Sequence, residues 1–230
     1  MKSTYNRIYT WAGALALAMV LASSLGFAAP PGTPLPNANA YQRDLPFWLE
    51  TYWTWYLSGG APEQSVVDGY KLLALPAGEA VSGSGTPEDP TVLKGSLEVT
   101  LPPGTPFVLP IYALLGETYK PELGYPDDQP FDDAWVLGSV EPTLTIDGQV
   151  IVSPENKADF YVPATYFDQV MPYDPPTDYG AIGAIFFQGG GIVGTPLKPG
   201  VHVIHLYEPW ILTPFWSIVY DNTWIVTVEK

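Results

Sequence analysis

Apolar residues recur at helical spacing in one place only. In the stretch PFWLETYWTWYLSGG, Trp48, Tyr52, Trp55 and Tyr56 fall at i, i+4, i+7 and i+8, one stripe on a helix. Leu49, Trp53 and Leu57 sit beside that stripe, and Glu50, Thr51 and Thr54 take the remaining surface. Read as a strand, neither parity is cleanly polar. The pattern predicts a short helix over 46–58, stopped by Ser58-Gly59-Gly60.

After that the period is two. DGYKLLALP, TVLKGSLEVTLP, PFVLPIYALL, ADFYVP, AIGAIFFQ and VHVIHLYE are short β-rich runs between Gly, Pro and Asp clusters. TLTI and QVIV flank Asp147-Gly148, which predicts a two-residue hairpin because both turn positions need positive φ. Leu97, Val99 and Leu101 share a face opposite Ser96, Glu98 and Thr100; Trp224, Val226 and Val228 share one opposite Thr223, Ile225 and Thr227. Strands with one wet face point to antiparallel sheets. No long helical pattern alternates with the strands, which argues against α/β. The expected fold is all-β: an antiparallel β-sandwich, Ig-like or jelly-roll with Greek-key connections. The aromatic helix is expected to cap one end or edge of its core.

The first 28 residues read as a signal peptide. MKSTYNRIY carries Lys2 and Arg7 and no acid, WAGALALAMVLASSLGF is apolar, and cleavage after Ala28 places Gly26 and Ala28 at the small-residue positions. An uncleaved anchor is the alternative, although the run is short for a bilayer span of ~20 residues. Residues 29–45, beginning APPGTPLPNANA, read as a Pro-rich lead-in without fixed structure. Residues 46–230 then form one domain. No later stretch suits a membrane span, and the expected location is secreted, periplasmic or extracellular.

Charge narrows the partners. All 24 acidic residues lie beyond residue 28, against seven cations there, so the mature chain carries a net charge of −17. Phosphate backbones and anionic membrane surfaces need clustered Lys and Arg, so nucleic acid is excluded as a partner. The chain has no cysteine, hence no disulfide framework and no thiolate chemistry.

The candidate chemistry lies in loops. ELGYPDDQPFDDAW gathers Asp127, Asp128, Asp132 and Asp133, oxygen donors of the kind Ca²⁺ takes, though the spacing matches no EF-hand. A solvated acidic loop is the plainer reading. Glycoside hydrolysis would need two carboxyls facing each other across a cleft, which adjacent aspartates do not define. His202 and His205 are offset by three, so a regular strand turns them to opposite faces; His202 shares parity with Ile204 and Leu206 and reads as a hydrogen-bonded core imidazole. The glycine-rich QGGGIVG lacks the residues of a phosphate-binding loop and reads as a turn or bulge. Trp48, Tyr52, Trp53, Trp55 and Trp224 are expected in the core, where each ring buries roughly 150–250 Å². Tyr173 and Tyr179, in a Pro-rich loop, are better placed to stack on a ligand.

Three pieces, WLETYWTWYLS, TLPPGTPFVLPI and PLKPGVHVIHL, with TIDG between the last two and a closing YDNTWIVTV, make the chain similar to a broad group of exported bacterial and archaeal proteins of unknown function. The resemblance implies a Trp-rich helix leading into a β-sandwich, and no activity. Many of those proteins carry cysteines near the first sheet; this chain has none. The expectation is a non-catalytic envelope or extracellular protein that binds a polysaccharide or an envelope protein through its loops. The alternatives are a polysaccharide hydrolase using the acidic-loop carboxylates, and a Ca²⁺-stabilised surface or adhesion module.

Overall fold

The computed structural model describes residues 43–213 and 216–230, without the side chains of residues 211–216. The expected leader and nearly all of the lead-in lie outside the described residues. Those residues form helix α1 (Leu45–Leu57), strands β1 (Val66–Val67), β2 (Tyr70–Leu72), β3 (Glu79–Ser82), β4 (Thr91–Leu101) and β5 (Phe107–Tyr119), and a short helix α2 (Asp133–Gly138). Strands β6 (Thr143–Ile146), β7 (Gln149–Val152), β8 (Tyr161–Pro172), β9 (Ala181–Gly194), β10 (Gly200–Thr213) and β11 (Trp216–Val228) follow. The chain is mostly β, in two sheets ordered β1-β2-β5-β9-β8 and β3-β4-β11-β10-β6-β7. Among the described residues, no helix is long and apolar enough to cross a membrane.

Side-chain alternation decides which faces meet. Phe107, Leu109 and Ile111 of β5 share one buried cluster with Leu101, Leu144, Ile204, Leu206, Trp224 and Val226 of the six-stranded sheet. Val108 of β5, with Phe187 and Val193 of β9, belongs to a second cluster built with α1. Successive residues thus feed opposite faces, as the pleat requires. The five-stranded sheet is buried on both sides, by the other sheet and by the helix.

This corrects the expected position of the helix. It lies over the face of the five-stranded sheet, rather than at an end of the inter-sheet core. Asp44 caps it, its Oδ1 accepting from the Phe47 amide at 3.1 Å. Trp48, Leu49, Tyr52, Trp53 and Trp55 are buried. The Trp48 ring packs 4.1 Å from that of Tyr70, and the Tyr52 hydroxyl donates to the Leu73 carbonyl at 2.9 Å.

Pairing also departs from expectation. Most neighbours are antiparallel, but β4 runs parallel to β11 over Thr91–Leu101, and β2 runs parallel to β5. Polar outer faces do not reveal this, because β4 and β11 keep one wet face whichever way they run. The glycine-rich stretch is neither a turn nor a flexible bulge; it is the buried second half of β9. Register shifts lie opposite it in β5, between Pro110 and Tyr112, and in β8, between Val162 and Thr165. A Cβ at Gly190 would meet the Tyr112 ring at 2.7 Å, and one at Gly191 would meet Leu49 at 2.5 Å. These glycines make room for Tyr112 on one side and for Leu49 of α1 on the other.

The Asp147-Gly148 hairpin forms as expected, with φ of 51° and 77° and Ile146 paired to Gln149. His202 completes this corner. Its Nδ1 lies 2.6 Å from Asp147 Oδ2 and its Nε2 lies 2.7 Å from the Lys198 carbonyl. Two acceptors suit the doubly protonated ring. Partial burial lowers the His202 pKa, but the two hydrogen bonds outweigh it and hold it above the usual value. Burial raises Asp147, but the hydrogen bonds from His202 and the Val203 amide hold it below the usual value. The His202 contribution is therefore full below ~6.5 and fades as pH rises through the raised value; the Asp147 contribution is full above ~3.9 and fades as pH falls through the lowered one. Asp147→Asn keeps the turn and an acceptor for Val203. It should lower stability by less than ~1 kcal/mol, most between about pH 4 and 6.5, with the deficit shrinking toward pH 8. Equal deficits at pH 5.5 and pH 8 in paired melting curves would show that the pair is not coupled.

Candidate functional site

The four candidate aspartates are each engaged by protein hydrogen-bond donors. Asp127 Oδ1 accepts from the Thr118 hydroxyl at 2.6 Å. Asp128 accepts from the Glu117 amide at 3.0 Å and from the Tyr119 hydroxyl at 2.9 Å. Both aspartates therefore bind back onto the end of β5. Asp132 caps α2, accepting from the Trp135 amide at 3.0 Å. Asp133 Oδ1 accepts from Tyr161 at 2.5 Å and from Gln188 Nε2 at 2.9 Å. Gln188, buried in β9, also exchanges hydrogen bonds with both backbone groups of Phe131. The loop is thereby pinned to the sheet at two places. Among the described residues, no group of three or more His, Asp or Glu side chains is arranged to hold a metal ion.

What the fold brings together is tyrosine. Tyr119 ends β5, Tyr125 lies in the acidic loop, and Tyr173 and Tyr179 come from the segment between β8 and β9. The Tyr179 hydroxyl donates to Glu117 Oε1 at 3.0 Å, and Tyr173 hydrogen-bonds the same carboxyl. Tyr119 and Tyr125 meet edge-to-face at 5.7 Å. Tyr119, Tyr125, Pro126, Asp128 and Tyr179 line one open groove.

Tyr125 and Tyr179 are 59% and 60% exposed, so their ring faces are available to a partner. Tyr173 is half-buried and serves as support. Burial and the hydrogen bond to Asp128 push the Tyr119 hydroxyl up to about 12. Burial, then Glu117, raises Tyr179 as well. These phenols stay protonated at neutral pH and remain donors. A carboxylate offers about four lone-pair positions, so Glu117 and Asp128 keep acceptor capacity beyond the tyrosines they hold. The groove presents exposed aromatic faces beside oxygen acceptors.

The loop sequence suggested Tyr173, Tyr179, Asp127 and Asp128. Glu117, Tyr119 and Tyr125 carry no local signal, because they join the others only when residues 117–128 fold against residues 173–179. The expected core aromatics stand apart from this groove: Trp48, Tyr52, Trp53 and Trp55 are buried residues of α1, and Trp224 is fully buried between the sheets with its Nε1 donating to the Ala74 carbonyl at 2.7 Å. No protein-family model, curated protein or solved structure matches the chain.

Proposed function

We propose that this is an exported, non-catalytic protein of the cell envelope or extracellular space that binds a polysaccharide through the tyrosine groove. The observation that carries the reading is the groove in which exposed Tyr125 and Tyr179 stand beside Asp128, with Glu117 holding the Tyr179 hydroxyl. A pyranose ring has an apolar C–H face that stacks on an aromatic ring, and hydroxyls at its rim that donate to carboxylates. Export rests on Lys2, Arg7 and the apolar run before Ala28. We take the two-sheet body as a sandwich-type scaffold, the class that includes Ig-like and jelly-roll domains; one buried cluster fed by both sheets supports this. The similarity to exported proteins fits the reading without adding an activity.

Each exposed ring should contribute ~1–1.5 kcal/mol to binding, or roughly 5–13-fold in Kd. Tyr125→Ala and Tyr179→Ala should each weaken polysaccharide binding by about that factor and leave the melting temperature within ~2 °C. Unchanged binding in the double variant would move the site elsewhere. A hydrolytic role would use Glu117 and Asp128 as its carboxyl pair, and Glu117→Gln with Asp128→Asn would then abolish sugar release.

A further inference from the structure

A second, partly open cavity lies beside β5 and has a different chemistry. It measures about 270 Å³ and is lined mostly by apolar side chains, including Leu75, Ile111, Leu206 and Ile218. It lies beside β5 residues 110–114, beyond the two-residue pairing with β2 at Phe107 and Val108.

Two polar residues break this lining. Leu206 pairs with Asn222 and Glu208 with Tyr220 across the β10–β11 ladder, so Glu208 and Asn222 are diagonal neighbours on the core face. They are 2% and 6% exposed. Trp210 hydrogen-bonds the Glu208 carboxyl, yet Glu208 Oε1 and Asn222 Oδ1 find no donor among the described residues. The buried Tyr112 hydroxyl, on the same wall, is also without a partner. No Lys or Arg lines the cavity. Native proteins pair such groups, and an unpaired buried acceptor calls for an explanation. Two of the three orphaned groups are side-chain oxygens of Glu208 and Asn222, and one of those belongs to a carboxyl.

We infer that this cavity binds a small organic ammonium ion with an apolar body, its N–H groups donating to Glu208 Oε1 and Asn222 Oδ1 and its carbon skeleton packed against Trp53, Trp210 and Tyr220. The aromatic walls favour the cation further, because ring faces attract positive charge. The net negative charge of the protein favours its approach. In the free protein, burial raises the Glu208 carboxyl well above the usual carboxylate range, and burial, then Glu208, raises Tyr112 and Tyr220. A bound cation opposes the burial effect and favours the ionised carboxyl. This inference is independent of the tyrosine groove.

The test is calorimetric titration of the protein with benzylammonium and hexylammonium, alongside benzyl alcohol and hexanol of matched shape. Each ammonium should bind saturably at one site, at least tenfold more tightly than its alcohol. Glu208→Gln, which keeps the shape, should remove most of that preference, and Tyr179→Ala should leave it intact. Absence of saturable ammonium binding to the wild-type protein would overturn the inference. So would an alcohol that binds as tightly as its ammonium counterpart, a comparison that depends on no variant folding. Retention of the full preference in a folded Glu208→Gln protein would also overturn it.

Discussion

Truncating Trp48 to alanine should cost ~3–5 kcal/mol of stability. The ring is 1% exposed and sits between the helix and the outer face of the five-stranded sheet, 4.1 Å from the Tyr70 ring. Removing it leaves a cavity that the sheet cannot fill, because β5 and β9 are fixed from the other side by the inter-sheet core. For a chain of this size the loss corresponds to roughly 6–20 °C in melting temperature. Trp48→Phe should recover a good part of it. Chemical denaturation that finds less than ~1 kcal/mol lost would show that the helix is peripheral to the fold.

Gly189→Ala should be nearly as damaging, for the opposite reason. Gly189 pairs with Ala113, and a Cβ there would lie 2.1 Å from the Tyr112 carbonyl oxygen and 2.7 Å from the Ala113 Cα. Those are backbone atoms of the adjacent strand, so no side chain can swing aside. The β5–β9 ladder would have to open at the middle of the five-stranded sheet. Overpacking costs ~1–3 kcal/mol where side chains can yield, and a backbone clash belongs at or above the top of that range. Gly138→Ala is the control: it ends α2, has nothing within 4 Å, and should change stability little. Matching stabilities for the two variants would mean that the close approach at Gly189 is absent in solution.

Local features of this fold are legible in the sequence, and non-local ones are not. Asp147-Gly148 declares its hairpin because the turn chemistry is contained in two residues. The alternation in Leu97–Leu101 and Trp224–Val228 marks the core-facing sides, because one period-two face meets apolar neighbours and the other meets water. The helix over Trp48–Leu57 is set by spacing and by the glycines after it. Where the helix docks depends on which sheet face remains uncovered. A signal for that is present: PFVLPIYALL and AIGAIFFQ are apolar in both parities, as a strand buried on both faces must be. A sheet with such strands needs a cover on each face, and the aromatic helix supplies the second one. The parallel β4–β11 pair leaves no local mark, since strand direction is fixed by connections far away in the chain.

The candidate sites divide in the same way. Asp132, three residues before Trp135, has the spacing of a helix cap, and that is the role it takes. Tyr125 and Tyr179 lie 54 positions apart, and no periodicity links them. Glu208 has the inward parity of Ile204 and Leu206, so its place on the core face could be counted out along β10. Its missing donor is visible only once Tyr220, Asn222 and Trp53 surround it.

The central proposal is that the tyrosine groove is a polysaccharide-binding face without hydrolytic action. Affinity electrophoresis of residues 29–230 through a panel of polysaccharide gels, with reducing-sugar release measured on the same samples, tests it most directly. The expected result is retardation by at least one polysaccharide and no release of sugar. Migration unaffected by every polysaccharide would contradict the binding claim, and retardation accompanied by sugar release would contradict the claim that the protein is non-catalytic.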